Sequence, residues 1–243
     1  MVFKNKLYIG GKWREASDGG DFEVLNPADE SVLTRVSSGT IADAEACVNA
    51  AQEAFAGWAS LSPRERGEIL RKAYDIFMSK IDEIAHLITL ENGKAGSDAM
   101  GEARYAAEFF RWYAEEAVRS DGHLGMAPAT GARILVHQKP AGISVLVPPW
   151  NYPAAMGTRK IGPALAAGCP VIVKPASETP LTMLALMPIL EEAGVPPGVV
   201  NVLPSRSSGA VVSKMLSDPR VRVVSFTGST EVGKKLLHAA ADN

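Results

Sequence analysis

Gly162-Pro163-Ala164-Leu165-Ala166-Ala167-Gly168-Cys169-Pro170-Val171-Ile172-Val173-Lys174-Pro175-Ala176-Ser177-Glu178-Thr179-Pro180 is the stretch that decides the fold. A helical run of small residues ends at a glycine and a short, unbroken apolar strand follows. Thr179-Pro180 then opens another helix, with a cap residue and a proline at its first position. An apolar strand without polar alternation is one buried on both faces, as in parallel sheets packed between helices. The same grammar repeats on either side. Residues 142–147, 170–174, 199–203 and 221–226 read as strands; 156–167, 180–193, 209–216 and 230–241 read as the helices that follow them. This alternation predicts an α/β fold, a parallel sheet with helices on both faces.

Upstream the pattern differs. Residues 6–9 and 22–25 read as short strands, punctuated by Gly10-Gly11 and Asn26-Pro27 turns. A helical lobe follows. Thr40 and Asp43 have capping-box spacing, and Ile41, Ala44, Val48, Ala51, Phe55 and Trp58 recur as one helical face. Ser62-Pro63-Arg64-Glu65 is a second helix start, behind which Ile69, Leu70, Ala73, Ile76 and Phe77 face inward. Residues 81–91 form a helix ended by Asn92-Gly93, and 97–119 give the longest helical pattern. Its Phe109, Phe110, Trp112 and Tyr113 read as core packing rather than a binding box. Residues 133–138 read as a strand leading away from this lobe. The expected organisation is a strand and helical lobe (1–122), a bridging strand segment (123–139) and a run of βα units (140–243).

Composition narrows the function. The chain has 243 residues, 47% of them hydrophobic, enough to bury a substantial core. Its 25 basic and 27 acidic residues leave a net charge of -2, which gives no footprint for nucleic acid or an anionic membrane. Two cysteines, Cys47 and Cys169, make neither a disulfide framework nor a CxxC metal pair, so a reduced cytoplasmic protein without a metal is expected. The N-terminus lacks the apolar core of a signal peptide, and no run of about 18 apolar residues marks a membrane span.

Ligands of parallel sheets sit beyond the carboxyl ends of the strands, which points to residues 148–151, 174–178, 204–208 and 227–233. Thr227-Gly228-Ser229-Thr230 joins a strand to a helix N-terminus, whose unpaired N–H groups suit a pyrophosphate; simple helix capping explains the same residues. The spacing is not GxGxxG. Lys174, at a strand end, suits a ribose hydroxyl or phosphate, whereas Thr179 and Pro180 only explain the helix start. Pro148-Pro149-Trp150-Asn151-Tyr152-Pro153 is a proline-stiffened loop that can hold an Asn amide as an oxyanion donor, or merely pack a tryptophan. Thr158-Arg159-Lys160, in an apolar helix, is either a solvated face or a guanidinium for a substrate carboxylate.

In order and spacing, PWNYP at 149–153, GPALAAGCPVIVKP at 162–175, the following PLT and SFTGSTEVGKKL at 225–236 resemble the aldehyde dehydrogenase superfamily over nearly the whole chain. The resemblance implies a Rossmann-like cofactor domain, a catalytic domain and an oligomerisation strand. It implies attack on an aldehyde by a Cys thiolate, hydride transfer to NAD(P)+, and release of the acid by water activated by a Glu. By the same carry-over Asn151 supplies the oxyanion-hole amide, Lys174 a ribose contact, and Gly228 and Ser229 the pyrophosphate seat, with Val147, Pro149 and Trp150 lining the cofactor cleft.

Two positions refine this implication. NAD-preferring members often place a Glu three residues after the lysine; here Ser177 stands there, with Glu178 one residue on. A carboxylate repels a 2′-phosphate and a hydroxyl can donate to it, so NADP is expected, with NAD possible if Glu178 turns inward. Members acting on succinate semialdehyde use a TRK arginine for the substrate carboxylate, which gives Arg159 that role and the substrate as an ω-carboxylated aldehyde.

The family's Glu-Leu-Gly-Gly and Gly-Gln-x-Cys stretches would follow residue 243, so this chain is expected to be inactive alone. Cys169, in a run the family uses structurally, does not replace the nucleophile, and Cys47 is no better placed. A homo-oligomer is expected. Arg206, in a serine-rich turn where many members carry glycines, reads as a solvated loop residue or as a further phosphate contact. A non-catalytic cofactor-binding or assembly module, and a reductase of acyl phosphates on a related fold, are the competing readings.

Overall fold

The structure, a computed structural model, describes residues 3–241; Met1, Val2, Asp242 and Asn243, which enter the readings of the two ends, lie outside the described residues. The chain opens with a hairpin of β1 (Leu7–Ile9) and β2 (Lys12–Arg14). Gly10 and Gly11 both take positive φ, 62° and 77°, the backbone that matches a two-residue turn to the twist of its strands. A Cβ on Gly11 would also lie 2.7 Å from the Pro197 ring. A separate ribbon, β3 (Asp21–Leu25) with β4 (Val32–Ser37), follows.

The helical lobe comprises α1 (Ile41–Ser60), α2 (Pro63–Ser79), α3 (Ile81–Asn92) and α4 (Gly96–Glu116). Both expected capping boxes form. Asp43 N–H donates to Thr40 Oγ1 at 3.3 Å while Thr40 N–H donates to Asp43 Oδ2 at 3.0 Å. Ser62 and Glu65 repeat the exchange at 3.2 and 2.7 Å. Gly93, in the left-handed region, ends α3 as expected. Residues 117–119 tighten into a 3₁₀ turn rather than extending α4.

Two apolar residues depart from the interior reading. Ile41, in the first turn of α1, and Trp112 are exposed, the latter by 60%. Trp112 lies two residues, about 200° of helix, from the buried Phe110, which puts it on the opposite face of α4. A strand that the periodicity does not reveal, β5 (His123–Met126), pairs antiparallel with β6 (Arg133–Val136) in a largely exposed ribbon.

The βα units then alternate as expected: β7 (Ile143–Val147), α5 (Ala155–Ala166), β8 (Val171–Val173), α6 (Pro180–Ala185), α7 (Met187–Ala193), β9 (Val200–Val202), α8 (Ser208–Leu216), β10 (Val221–Phe226) and α9 (Thr230–Ala241). The single helix expected over 180–193 is two. Pro188 lacks an N–H and its ring crowds the carbonyl four residues back, so the helix breaks at Leu186.

The main sheet runs β10-β7-β8-β9-β1-β2. Its first four strands are parallel, in the order of a Rossmann half, 4-1-2-3 when counted from β7. The N-terminal hairpin joins this sheet antiparallel, through Tyr8 opposite Val202, so the sheet is mixed rather than wholly parallel. Strand residues alternate between two cores. Ile143, Val145 and Ile172 pack with Ala44, Val48, Val211 and Met215 of α1 and α8. Leu146, Val171 and Val173 pack with Ile161 and Leu165 of α5 and with the helical lobe. This two-sided burial is the reason the strands read as continuous apolar runs.

Candidate cofactor site

Register aligns the carboxyl ends of the parallel strands. Phe226 lies opposite Val147 and Leu146 opposite Val173. Beyond the strands, Thr227 N–H donates to Val147 O at 3.2 Å, Lys174 N–H to Leu146 O at 2.8 Å and Leu203 N–H to Val173 O at 2.9 Å. The segments carrying Val147, Pro149 and Trp150, then Lys174 and Ser177, then Gly228 and Ser229, therefore share one rim of the sheet. The chain leaves β7 toward β8 on one side and returns as β10 on the other, which makes this rim a topological switch point.

Lys174 is 4% exposed, yet among the described residues its ammonium has the Ser208 hydroxyl as its one hydrogen-bond partner. Burial pulls its pKa down to about 8, with Glu178 opposing the fall. Ser177 is half-buried, its hydroxyl donating weakly to Ser205 O at 3.4 Å; Glu178 is exposed. A buried cation with one neutral partner, beside hydroxyls and the start of a helix, is a donor set suited to an anionic dinucleotide. Gly228 and Ser229 are exposed at the start of α9. Both contacts of this turn are local ones: Val232 N–H donates to Ser229 Oγ at 3.4 Å as a cap, and a Cβ on Gly228 would come within 2.5 Å of the Phe226 ring, so the glycine is accounted for by packing.

The Asn151 loop is held by side chains that periodicity did not single out. Asn92 Nδ2 donates to Trp150 O at 2.9 Å and Thr179 Oγ1 to the same oxygen at 3.4 Å. Lys94 Nζ donates to Asn151 O at 2.7 Å, lies 3.6 Å from the centre of the Tyr152 ring and pairs with Glu102. Glu102, buried, also accepts Ala154 N–H at 2.9 Å and Ala155 N–H at 3.3 Å at the start of α5. The carbonyls of 150 and 151 and the N–H groups of 154 and 155 are thus fixed by the helical lobe, leaving Asn151 and Trp150 exposed on a rigid loop. Glu91, fully buried, accepts Leu181 and Thr182 N–H groups, both at 2.7 Å, and so anchors α6 behind Ser177; burial pushes its pKa up to about 7. Asn92 and Thr179 are legible locally only as helix-end residues, and Thr179 donates its hydroxyl to Trp150 O rather than forming a side-chain cap of α6. The reach of all these partners has no local signature, because each lies some 30 to 90 residues from the backbone it holds. Ser208 could have been found from the serine run 205–208.

Arg159 is exposed on α5 and borders a different cavity, of about 400 Å³, with Lys139, Cys169, Val223 and Ser225. Its neighbour Lys160 turns inward and bridges Ser225 Oγ and Thr227 Oγ1, both at 2.9 Å, and burial lowers its pKa. Both cysteines are free and buried, and burial raises the Cys47 pKa, so neither has the exposure of a nucleophile. Among the described residues no group of three His, Cys, Asp or Glu side chains could hold a metal, and no helix is long and apolar enough to cross a membrane.

Comparison with known proteins identifies the family. Over 96% of its length the chain is 44% identical to a Schizosaccharomyces pombe protein named as an NADP(+) succinate-semialdehyde dehydrogenase, of which it covers 47%. It superposes on the crystal structure of succinate-semialdehyde dehydrogenase from Burkholderia pseudomallei with a TM-score of 0.96 and 42% identity, over 99% of this chain and 50% of that one. A structure of PnpE in complex with nicotinamide adenine dinucleotide matches with a TM-score of 0.95 and 34% identity, over 99% of this chain and 49% of that one. The chain spans about half the length of the relatives it matches. The model of the aldehyde dehydrogenase family, a family of oxidoreductases, matches residues 13–243, and the chain belongs to that family.

Proposed function

We propose that this chain supplies the NADP(H)-binding part and the oxyanion donor of an enzyme that oxidises an ω-carboxylated aldehyde, such as succinate semialdehyde, to the acid through an enzyme thioester. Lys174 carries this reading: a buried ammonium at the strand rim with one hydroxyl partner and Ser177, not a carboxylate, three residues on. The cofactor, when bound, supplies the hydride acceptor. Lys174 and Ser177 hold the adenosine ribose and its 2′-phosphate. Gly228 and Ser229 seat the pyrophosphate at α9, and Val147, Pro149 and Trp150 line the cleft. Asn151, on its clamped loop, donates to the oxygen that gains charge as the aldehyde is attacked. Arg159 receives the far carboxylate of the substrate.

The named relatives support both halves of this reading, the fission yeast protein by its NADP(+) and the Burkholderia protein by its substrate. The free, buried thiols suit a reducing compartment such as the cytoplasm. The exposed Leu124, Met126 and Leu135 of the β5–β6 ribbon suit a contact between copies. Calorimetric titration with NADP+ and NAD+ tests the cofactor assignment; NADP+ affinity at least tenfold below that for NAD+ would sink it. Equal turnover of butanal and succinate semialdehyde by the whole enzyme would refute the role of Arg159.

The burial of Cys47 and Cys169 favours a second reading for these 243 residues alone, a cofactor-binding module without turnover. Aldehyde-dependent NADPH formation by the isolated chain would overturn it.

A further inference from the structure

Arg206 lies in the turn between β9 and α8, and its backbone is pinned from below. Its N–H donates to Ser38 Oγ at 3.2 Å, Ser205 Oγ donates to Gly39 O at 2.6 Å, and Gly39 N–H donates to Pro204 O at 2.7 Å. The guanidinium stacks 5.3 Å from the centre of the Phe22 ring on β3. Phe22 is itself buried, so the seat is fixed. From there Arg206 lines a cavity of about 360 Å³ together with Ser177 and four glutamates, Glu23, Glu30, Glu91 and Glu178. It is the cation of that lining, yet among the described residues it forms no ion pair. Glu23 is taken by Arg35 at 2.6 Å and Glu91 by the N–H groups of α6.

A dianion entering this cavity next to Ser177 would meet an acidic wall were it not for Arg206. Ser177 offers it one hydroxyl, whereas the guanidinium offers a flat fork of donors matched to phosphate oxygens. We propose that Arg206, seated on Phe22, is the specificity-determining contact for the 2′-phosphate of the cofactor, and that Ser177 permits this phosphate rather than selecting it. This rests on the cofactor reading above. Removing the arginine leaves the same cavity lined by carboxylates, so discrimination collapses while the remainder of the nucleotide site is untouched.

Calorimetric titration of the chain with adenosine 2′,5′-bisphosphate and with 5′-AMP tests this. The unaltered chain is expected to bind the bisphosphate at least tenfold more tightly than AMP. Arg206→Met is expected to lose at least tenfold for the bisphosphate and to bind AMP as before. Arg206→Lys, which keeps the charge but not the flat face, is expected to fall between them; affinity equal to that of the unaltered chain would overturn the role of the Phe22 seat. An Arg206→Met chain that keeps its preference for the bisphosphate overturns the inference and leaves the cofactor reading standing. Equal binding of both probes by the unaltered chain overturns the inference and the NADP preference but not dinucleotide binding. Failure to bind either probe overturns the cofactor reading itself.

Discussion

Strands β8 and β10 open βα units of the same kind and meet opposite fates, β8 as Val171-Ile172-Val173 and β10 with Arg222 and Ser225 among its valines. Val171, Ile172 and Val173 are each 0% exposed, flanked by β7 and β9 and covered by α1 on one face and α5 on the other. Among the described residues β10 pairs with β7 alone; Val223 is 37% exposed, and α9 behind it has no buried residue, with Leu237 70% exposed. Both units obey one local grammar of strand, turn and helix. Burial was decided by neighbours, since a strand inside a sheet is covered on two edges and two faces and a strand at the margin is not. The two units also do different work at the rim: the interior strand delivers a buried, partner-poor lysine, the marginal one an exposed turn and helix start.

The largest expected effect sets the two units directly against each other. Ile172→Ala should cost about 2–5 kcal/mol, as large-to-small changes in a packed core do. Val223→Ala on the marginal strand should cost under about 1 kcal/mol. Urea-denaturation midpoints measure both, and similar losses would erase the distinction.

Next comes the clamp that ties the rim to the helical lobe. Lys94→Met leaves Glu102 buried without its cation and should cost about 2–4 kcal/mol, somewhat below the range for a fully buried pair because Lys94 is partly exposed. It should also speed protease cleavage within residues 148–153. Unchanged protection of that loop would show that it is held by other means.

A third test uses the burial of Lys174. Lys174→Met should weaken binding of adenosine 2′,5′-bisphosphate by roughly 10- to 100-fold, the worth of a charge-assisted hydrogen bond. In the unaltered chain that affinity should fall as pH rises through about 8, where Lys174 loses its proton. Stability runs the other way. The folded pKa lies below the ordinary lysine value, so the charged form is penalised on folding, and that penalty is relieved as pH rises from about 8 toward 10.5. Binding that stays flat across pH 7–9 would remove Lys174 from the anion site. The smallest effect belongs to the marginal helix: Leu237→Lys on α9 should move stability by no more than about 0.5 kcal/mol, and a larger loss would mean that this face is covered in solution.

Much of this was legible beforehand. The capping boxes at Thr40 and Ser62 and the glycine that ends α3 are signals within four residues of one another, and each formed as read. The order of βα units and the apolar runs that span two cores followed from composition over short windows. Exposure was less legible. Trp112 and Ile41 belong to apolar patterns but lie off the packed faces. The 180–193 segment broke because Pro188 outweighed its helical period.

The sequence by itself determined the local elements, their alternation and the residues at each strand end, because hydrogen bonding, capping and side-chain periodicity act over a few positions. Only the tertiary structure decided what meets at the rim. It brought Lys94 and Glu102 to the Asn151 loop, Glu91 to the start of α6, and Phe22 under Arg206, and it set the N-terminal hairpin beside β9. These contacts join residues from about 50 to nearly 200 positions apart. The partners come within reach of each other only when the two cores close on the sheet.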